Sequence, residues 1–162
     1  MKHPTRKIKD ICELTPPLLL KWGVEAVLCD LDNTLAGYGT AAADGDIKSW
    51  LTSVREAGII PAVVSNASEE RAAAFCEPLD LPYIARAAKP GAKKLRSMLK
   101  NLGVSPERSL MVGDQLFTDV LAGRKAGVRT VLVDPRTKNT LVNIRRWIET
   151  PFLPLFCKGA KQ

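Results

Sequence analysis

At 162 residues, with 46% hydrophobic and 25% charged side chains, the chain has the size and composition of one globular domain with a full core. No apolar run approaches the roughly 20 residues of a membrane-spanning helix, and the four scattered cysteines (Cys12, Cys29, Cys76 and Cys157) give neither a Cys-x-x-Cys metal pair nor a disulfide framework. The net charge of +7 is uneven: residues 1–85 hold eight basic and twelve acidic groups, residues 86–162 sixteen and five, so the second half favours an anionic partner such as nucleic acid, anionic lipid or a phosphorylated substrate.

Residues 1–23 read as a leader segment packed on the core. Leu18-Leu19-Leu20 is too short, and too close to Pro16-Pro17, for a signal peptide, so the protein is expected in the cytoplasm. Ile8, Ile11, Cys12 and Leu14 have helical spacing, and Thr15-Pro16-Pro17 is expected to end that turn. Val27-Leu28-Cys29 is a buried strand that ends in Asp30-Leu31-Asp32-Asn33-Thr34-Leu35. The glycine-rich stretch 36–45 then predicts a loop or short hairpin beside the two aspartates.

Asp46 is a candidate cap for a helix carrying Ile47, Trp50, Leu51 and Val54, which Gly58 ends. Ile59 to Val64 is the second strand, leading to Ser65-Asn66, and Ser68 caps a helix with Ala72, Phe75, Cys76 and Leu79 on one face. Tyr83-Ile84-Ala85 is a weak third strand before Lys89-Pro90, where Pro90 suits the first turn of a helix striped by Leu95, Met98, Leu99 and Leu102. Leu110-Met111-Val112 is the fourth strand, ending at Gly113-Asp114, with a helix over Phe117, Val120 and Leu121 after it. Thr130 to Val133 is the fifth, and a last helix is expected from Asn143 to Glu149. This alternation predicts an α/β fold: one doubly wound, Rossmann-like parallel five-stranded sheet with helices on both faces. The division is 1–23 leader, 24–150 domain and 151–162 tail.

Sheets of this kind place their chemistry at the carboxyl ends of the strands. Asp30 and Asp32 end the first strand there, Ser65-Asn66 the second, Lys89 follows the third, Asp114 ends the fourth, and Asp119 lies one helical turn on. Alternation along a strand points Asp30 and Asp32 the same way, and two close carboxylates repel unless a cation or a proton separates them. Oxygen-only partners suit Mg²⁺, and the single histidine, His3, argues against zinc. Each residue alone has a plainer reading: Asp32-Asn33 and Ser65-Asn66 as turns, Lys89 as a solvated lysine, Asp119 as a helix N-terminal charge.

Asp30-Leu31-Asp32-Asn33-Thr34-Leu35, Ser65-Asn66, Lys89-Pro90 and Gly113-Asp114-Gln115-Leu116-Phe117-Thr118-Asp119, in this order, resemble the motifs of the haloacid dehalogenase superfamily of phosphohydrolases. Without room for an inserted domain after the first or second motif, the chain is similar to the capless subfamily IIIA phosphatases of YqeG type, a group similar to the mitochondrial phosphatidylglycerophosphate phosphatases. The resemblance implies that Asp30 is the nucleophile and Asp32 the general acid and base. Mg²⁺ would lie between Asp30, the backbone carbonyl of Asp32, and Asp114. Ser65, Asn66, Thr34 and Lys89 would meet the substrate, and Asp119 would orient Lys89 or a metal-bound water.

An uncapped site suits a phosphate on something large. The C-terminal segment from Arg145 to Lys158 mixes basic, aromatic and aliphatic groups, which suits either an anionic bilayer surface or packing of Trp147, Phe152, Leu153 and Phe156 on the domain. The leading expectation is a Mg²⁺-dependent phosphomonoester phosphatase acting on phosphatidylglycerophosphate at a membrane surface. The alternatives are a soluble sugar-phosphate or nucleotide phosphatase with a lid from an oligomeric neighbour and, from another class, a non-catalytic RNA-binding protein on the same fold. Nothing in RNA binding needs Asp30, Asp32 and Asp114 together.

Overall fold

The computed structural model describes residues 3–157, so Lys158 and the rest of the basic tail lie outside the described residues. In chain order the elements are β1 (Arg6–Ile8), α1 (Pro16–Lys21), β2 (Ala26–Cys29), α2 (Gly45–Glu56), β3 (Ile60–Val64), α3 (Glu69–Cys76), β4 (Tyr83–Ile84), α4 (Lys93–Leu102), β5 (Ser109–Gly113), α5 (Leu121–Ala126), β6 (Arg129–Val133), α6 (Thr140–Glu149) and the single turn α7 (Leu153–Phe156). The six strands form one sheet in the order β1-β6-β5-β2-β3-β4, and every pair is parallel.

Alternation along the strands sorts the core into two layers. Val27, Cys29, Val63, Leu110 and Val112 face a cluster that contains Leu19 of α1, Trp50, Leu51 and Val54 of α2, and Phe75 of α3. Leu28, Ala62, Val64 and Met111 face the other way, onto Leu95, Met98 and Leu99 of α4 and Ala126 of α5. With both faces covered, β2 can be apolar at every position, and all four of its residues are buried.

The sixth strand is a correction. Arg6–Ile8 pairs with β6, Arg6 opposite Val131 and Ile8 opposite Val133, and its two charged residues gave no apolar run to mark it. The helical spacing in the leader comes from a single 3₁₀ turn, Ile11–Glu13, closed by a reciprocal Asp10–Glu13 capping box. Thr15-Pro16-Pro17 starts α1 instead of stopping a helix, because proline fits a first turn whose N–H groups have no partner.

Other boundaries shift for local reasons. Asp44, not Asp46, caps α2: its Oδ1 accepts the Ile47 N–H at 2.9 Å. Pro90 follows a cis Lys89–Pro90 bond in a turn closed by Gly91 N–H to Ala88 O at 2.9 Å, and α4 begins only at Lys93. After β5 the chain takes a π-helical turn, Leu116–Val120, before α5. α6 begins three residues early, at Thr140, because Asn139 Oδ1 accepts the Val142 N–H at 2.9 Å.

Between β2 and α2 there is only the loop 30–44, and between β3 and β4 only α3 and a 3₁₀ turn, so neither position carries a cap domain. Among the described residues no helix is long and apolar enough to cross a membrane.

Candidate active site

The carboxyl ends of β2, β3 and β5 meet at one cavity of about 500 Å³. Asp30 is one residue past β2, fixed by its N–H to Val112 O at 2.8 Å. Asp30, Asp114 and Asp119, all buried, each offer a carboxylate oxygen, and these oxygens lie within 4.8 Å of one another. Lys89 Nζ donates to Asp30 Oδ1 at 2.8 Å and to Asp119 Oδ1 at 2.6 Å. Arg145, from α6, reaches Asp114 Oδ2 at 2.5 Å. Three acidic groups therefore share two of the protein's own cations.

Local sequence explains these positions. Gly113 passes so close to Asp119 that a β-carbon would overlap the aspartate side chain. Asp119 Oδ2 also accepts the Gln115 N–H at 3.1 Å, which closes the turn between β5 and the π-helical segment. Lys89 is set by Asn66, whose Oδ1 accepts the Lys89 N–H at 2.9 Å and whose Nδ2 donates to Lys89 O at 3.1 Å. The two loops that follow β3 and β4 are thus joined at the lysine. Asn33 takes φ +65, a left-handed conformation that asparagine tolerates better than most residues.

Burial sets the electrostatics. It raises the Asp30 carboxyl to about 6, against the pull of the Lys89 ammonium and with a further push from Asp119. It raises Asp114 to about 7, where Asp119 adds to the effect and Arg145 opposes it. Burial would drive the Lys89 ammonium down, but Asp119 and Asp30 more than offset this and hold it above its ordinary value. Asp114 Oδ1 is buried with no hydrogen-bond partner among the described residues. An orphaned carboxylate oxygen within a triad of hard oxygen donors fits a divalent cation such as Mg²⁺.

Asp32 also lines the cavity, but its carboxylate is taken by Arg71, from Nη2 at 3.0 Å and Nε at 3.3 Å, and it is not part of the triad. Ser65 and Asn66 line the wall; the Ser65 Oγ accepts the Ala67 N–H at 3.1 Å. Thr34 does not line the cavity. It is buried, its Oγ1 has no partner, and its carbonyl accepts from Arg136 Nε at 3.1 Å.

Sequence reading missed Arg71, Arg136, Asn139 and the inward role of α6. Arg136 ties the loop after β6 to Thr34, to Asp44 and to Asp10. Glu149 accepts the Leu116 N–H at 3.0 Å and so fastens α6 to the turn that carries Asp119. One signal was available: a helix that follows the last strand starts at the same sheet edge as the site. The C-terminal apolar residues divide. Leu153 and Phe156 pack against Leu116, Val120 and Leu132, while Leu141, Ile144, Trp147, Ile148 and Leu155 are exposed. Tyr38 and Leu141 stand at the rim of the cavity.

Residues 86–140 match the model of the HAD-hydrolase-like family. The protein named probable phosphatase YqeG, of Bacillus subtilis, is 37% identical over 132 residues, covering 82% of this chain and 77% of the relative. A dihydroxyacetone phosphatase of Corynebacterium glutamicum is 33% identical over 133 residues, 82% of this chain and 43% of the relative. Phosphatidylglycerophosphate phosphatase 1 of Arabidopsis thaliana is 25% identical over 144 residues, 83% of this chain and 41% of the relative. The chain thus spans less than half the length of the last two.

Proposed function

Since the chain belongs to the haloacid dehalogenase superfamily, among its YqeG-like phosphatases, it is a phosphatase, and we propose that it hydrolyses phosphomonoesters through an aspartyl-phosphate formed on Asp30. The observation that carries this reading is Asp30 itself: a buried carboxylate in a cavity, hydrogen-bonded to a buried ammonium and grouped with two more carboxylates.

An Asp30 oxygen attacks phosphorus as the bond to the leaving oxygen breaks, and Asp32 gives that oxygen its proton. Water then attacks the phosphoryl group, Asp32 takes the proton, and Asp30 is released with inorganic phosphate. Lys89 lowers the repulsion between the nucleophile and the incoming anion, and the Ser65 hydroxyl donates to a phosphoryl oxygen. Asp119 holds Lys89, and Arg71 holds Asp32 in orientation. Asp30, Asp114 and the backbone carbonyl of Asp32 would hold Mg²⁺, which when bound would neutralise charge on the phosphoryl oxygens.

The substrate is read as a phosphate on a large or lipid-linked group, phosphatidylglycerophosphate foremost, met by a cytoplasmic enzyme lying on an anionic membrane surface. Three observations support this. Among the described residues no cap closes the cavity. The exposed apolar side chains of α6 (Leu141, Ile144, Trp147 and Ile148) begin at its rim. The helix's one carboxylate, Glu149, is turned inward, so no acidic group of α6 opposes an anionic surface. A second reading, a small sugar phosphate with a lid from a neighbouring copy, is favoured by the relative named for dihydroxyacetone.

The test is phosphate release by wild type and Asp30→Asn, from an aryl phosphate, from phosphatidylglycerophosphate in mixed micelles and from soluble sugar phosphates. Loss of all turnover in a folded Asp30→Asn supports the nucleophile, and retained turnover refutes it. Fast hydrolysis of sugar phosphates with none of the lipid overturns the lipid assignment.

A further inference from the structure

Arg145 is in an unusual place for an arginine. Its guanidinium is hydrogen-bonded to Asp114, a carboxylate of the buried triad, while its side chain also lines the cavity. The pairing is incomplete on both sides: Arg145 Nε and Asp114 Oδ1 are both buried without a hydrogen-bond partner among the described residues. The charges show why the contact is not final. Asp30, Asp114 and Asp119 oppose Lys89 and Arg145, three negative groups against two positive. A divalent cation among the carboxylates reverses that balance to one net positive charge and puts Arg145 beside a like charge.

We propose that Arg145 is a mobile substrate-binding residue, which neutralises Asp114 in the metal-free protein and turns to an anionic oxygen of the substrate once the triad holds its divalent cation. The inference rests on the phosphatase reading above and deepens it. α6 need not move for this: Glu149 pins the helix to Leu116 N–H at 3.0 Å, and only the long arginine side chain swings. The fork of N–H donors then meets phosphate oxygens, its best-matched partner. Because one residue serves two alternative anions, cation and anion bind cooperatively, each raising the affinity for the other.

The experiment is titration calorimetry on the full chain, with Mg²⁺ and inorganic phosphate as probes, for wild type, Arg145→Gln and Arg145→Lys. Removing the competing charge should tighten Mg²⁺ binding about tenfold in Arg145→Gln, and weaken phosphate binding to the Mg²⁺-saturated protein about tenfold. Arg145→Lys keeps the charge, so it should match wild type for Mg²⁺ and bind phosphate more weakly. Thermal melts establish which variants fold. Mg²⁺ affinity unchanged or weaker in Arg145→Gln, with phosphate affinity kept, overturns the proposal and leaves Arg145 a structural tie. If Arg145→Gln does not fold, the lysine variant decides alone: unchanged phosphate affinity overturns it. A wild type that binds no Mg²⁺ and hydrolyses nothing sinks the phosphatase mechanism and this inference together, whereas an active wild type beside a flat Arg145 series sinks only the role of Arg145.

Discussion

Gly113 faces the carboxylate of Asp119 with no space between them for a β-carbon, which would overlap Oδ2, Cγ and Cβ of the aspartate. The glycine closes β5, and the aspartate lies in the turn that follows. The close approach lets Asp119 fold back to Lys89 and to the Gln115 N–H. Gly113→Ala should therefore displace Asp119, and through it Lys89, and lower kcat by at least about 100-fold, since small misplacements at reacting groups are that costly. The far-ultraviolet circular dichroism should change little. Full activity in Gly113→Ala would show that Asp119 is not needed where it stands.

Lys89 is buried between Asp30 and Asp119. Removing one partner of a buried ion pair leaves uncompensated charge, at a cost of about 3–5 kcal/mol. Lys89→Met keeps the length and removes the ammonium. It should abolish turnover and lower stability in urea by an amount in that range at pH 8. Much of the stability should return at pH 5, where protonation of Asp30 relieves its repulsion with Asp119. A stability loss that is the same at both pH values would count against the lysine as the triad's counter-charge.

The strands β2, β3, β5 and β6 were legible because continuous apolar runs ended in turn residues, and Asp30, Lys89, Asp114 and Asp119 were legible because a parallel sheet gathers its strand ends. β1 was not, since a three-residue edge strand of two charges and one isoleucine has no period to read. Arg71 and Arg145 were hidden for another reason. They reach the site from helices, Arg71 from the first turn of α3 and Arg145 from midway along α6, where tertiary packing decides whether a charged residue points out or in. Asn66 was read as a substrate-binding residue; it lines the cavity, and its side chain also holds the backbone of Lys89, which no spacing could have indicated.

Arg71 should matter to turnover and little to the fold. Its pair with Asp32 is part-buried but open to the cavity, and solvent-screened pairs contribute about 1 kcal/mol or less to stability. In the proposed mechanism, where Asp32 delivers the proton, Arg71 sets the orientation of that donor. Arg71→Ala should lower kcat about tenfold or more, in the range typical of acid–base assistance, with Tm nearly unchanged. The loss should be smaller for a substrate with a good leaving group, such as an aryl phosphate, than for an alkyl phosphate, because the former needs less protonation. Equal losses for both substrates would disconnect Arg71 from Asp32.

Metal binding and stability should be linked through pH. Asp30 and Asp114 are raised by burial to about 6 and about 7 in the metal-free protein. A carboxyl with a raised folded value binds its proton more tightly folded than unfolded. Its contribution to stability is therefore complete below the ordinary carboxylate range and is lost as pH rises through 6 and 7. In the presence of a chelator, Tm should fall between pH 5 and pH 8 as both groups ionise in the interior. A cation bound by the carboxylates must displace those protons, so added Mg²⁺ should raise Tm clearly at pH 8 and little at pH 5. The quantity to compare is the Mg²⁺-induced shift at each pH, from which the titration of all other groups cancels. In Asp114→Asn the shift should be much reduced at pH 8. A Mg²⁺ shift that is the same at pH 5 and pH 8, or that survives intact in Asp114→Asn, would place the cation somewhere other than this triad.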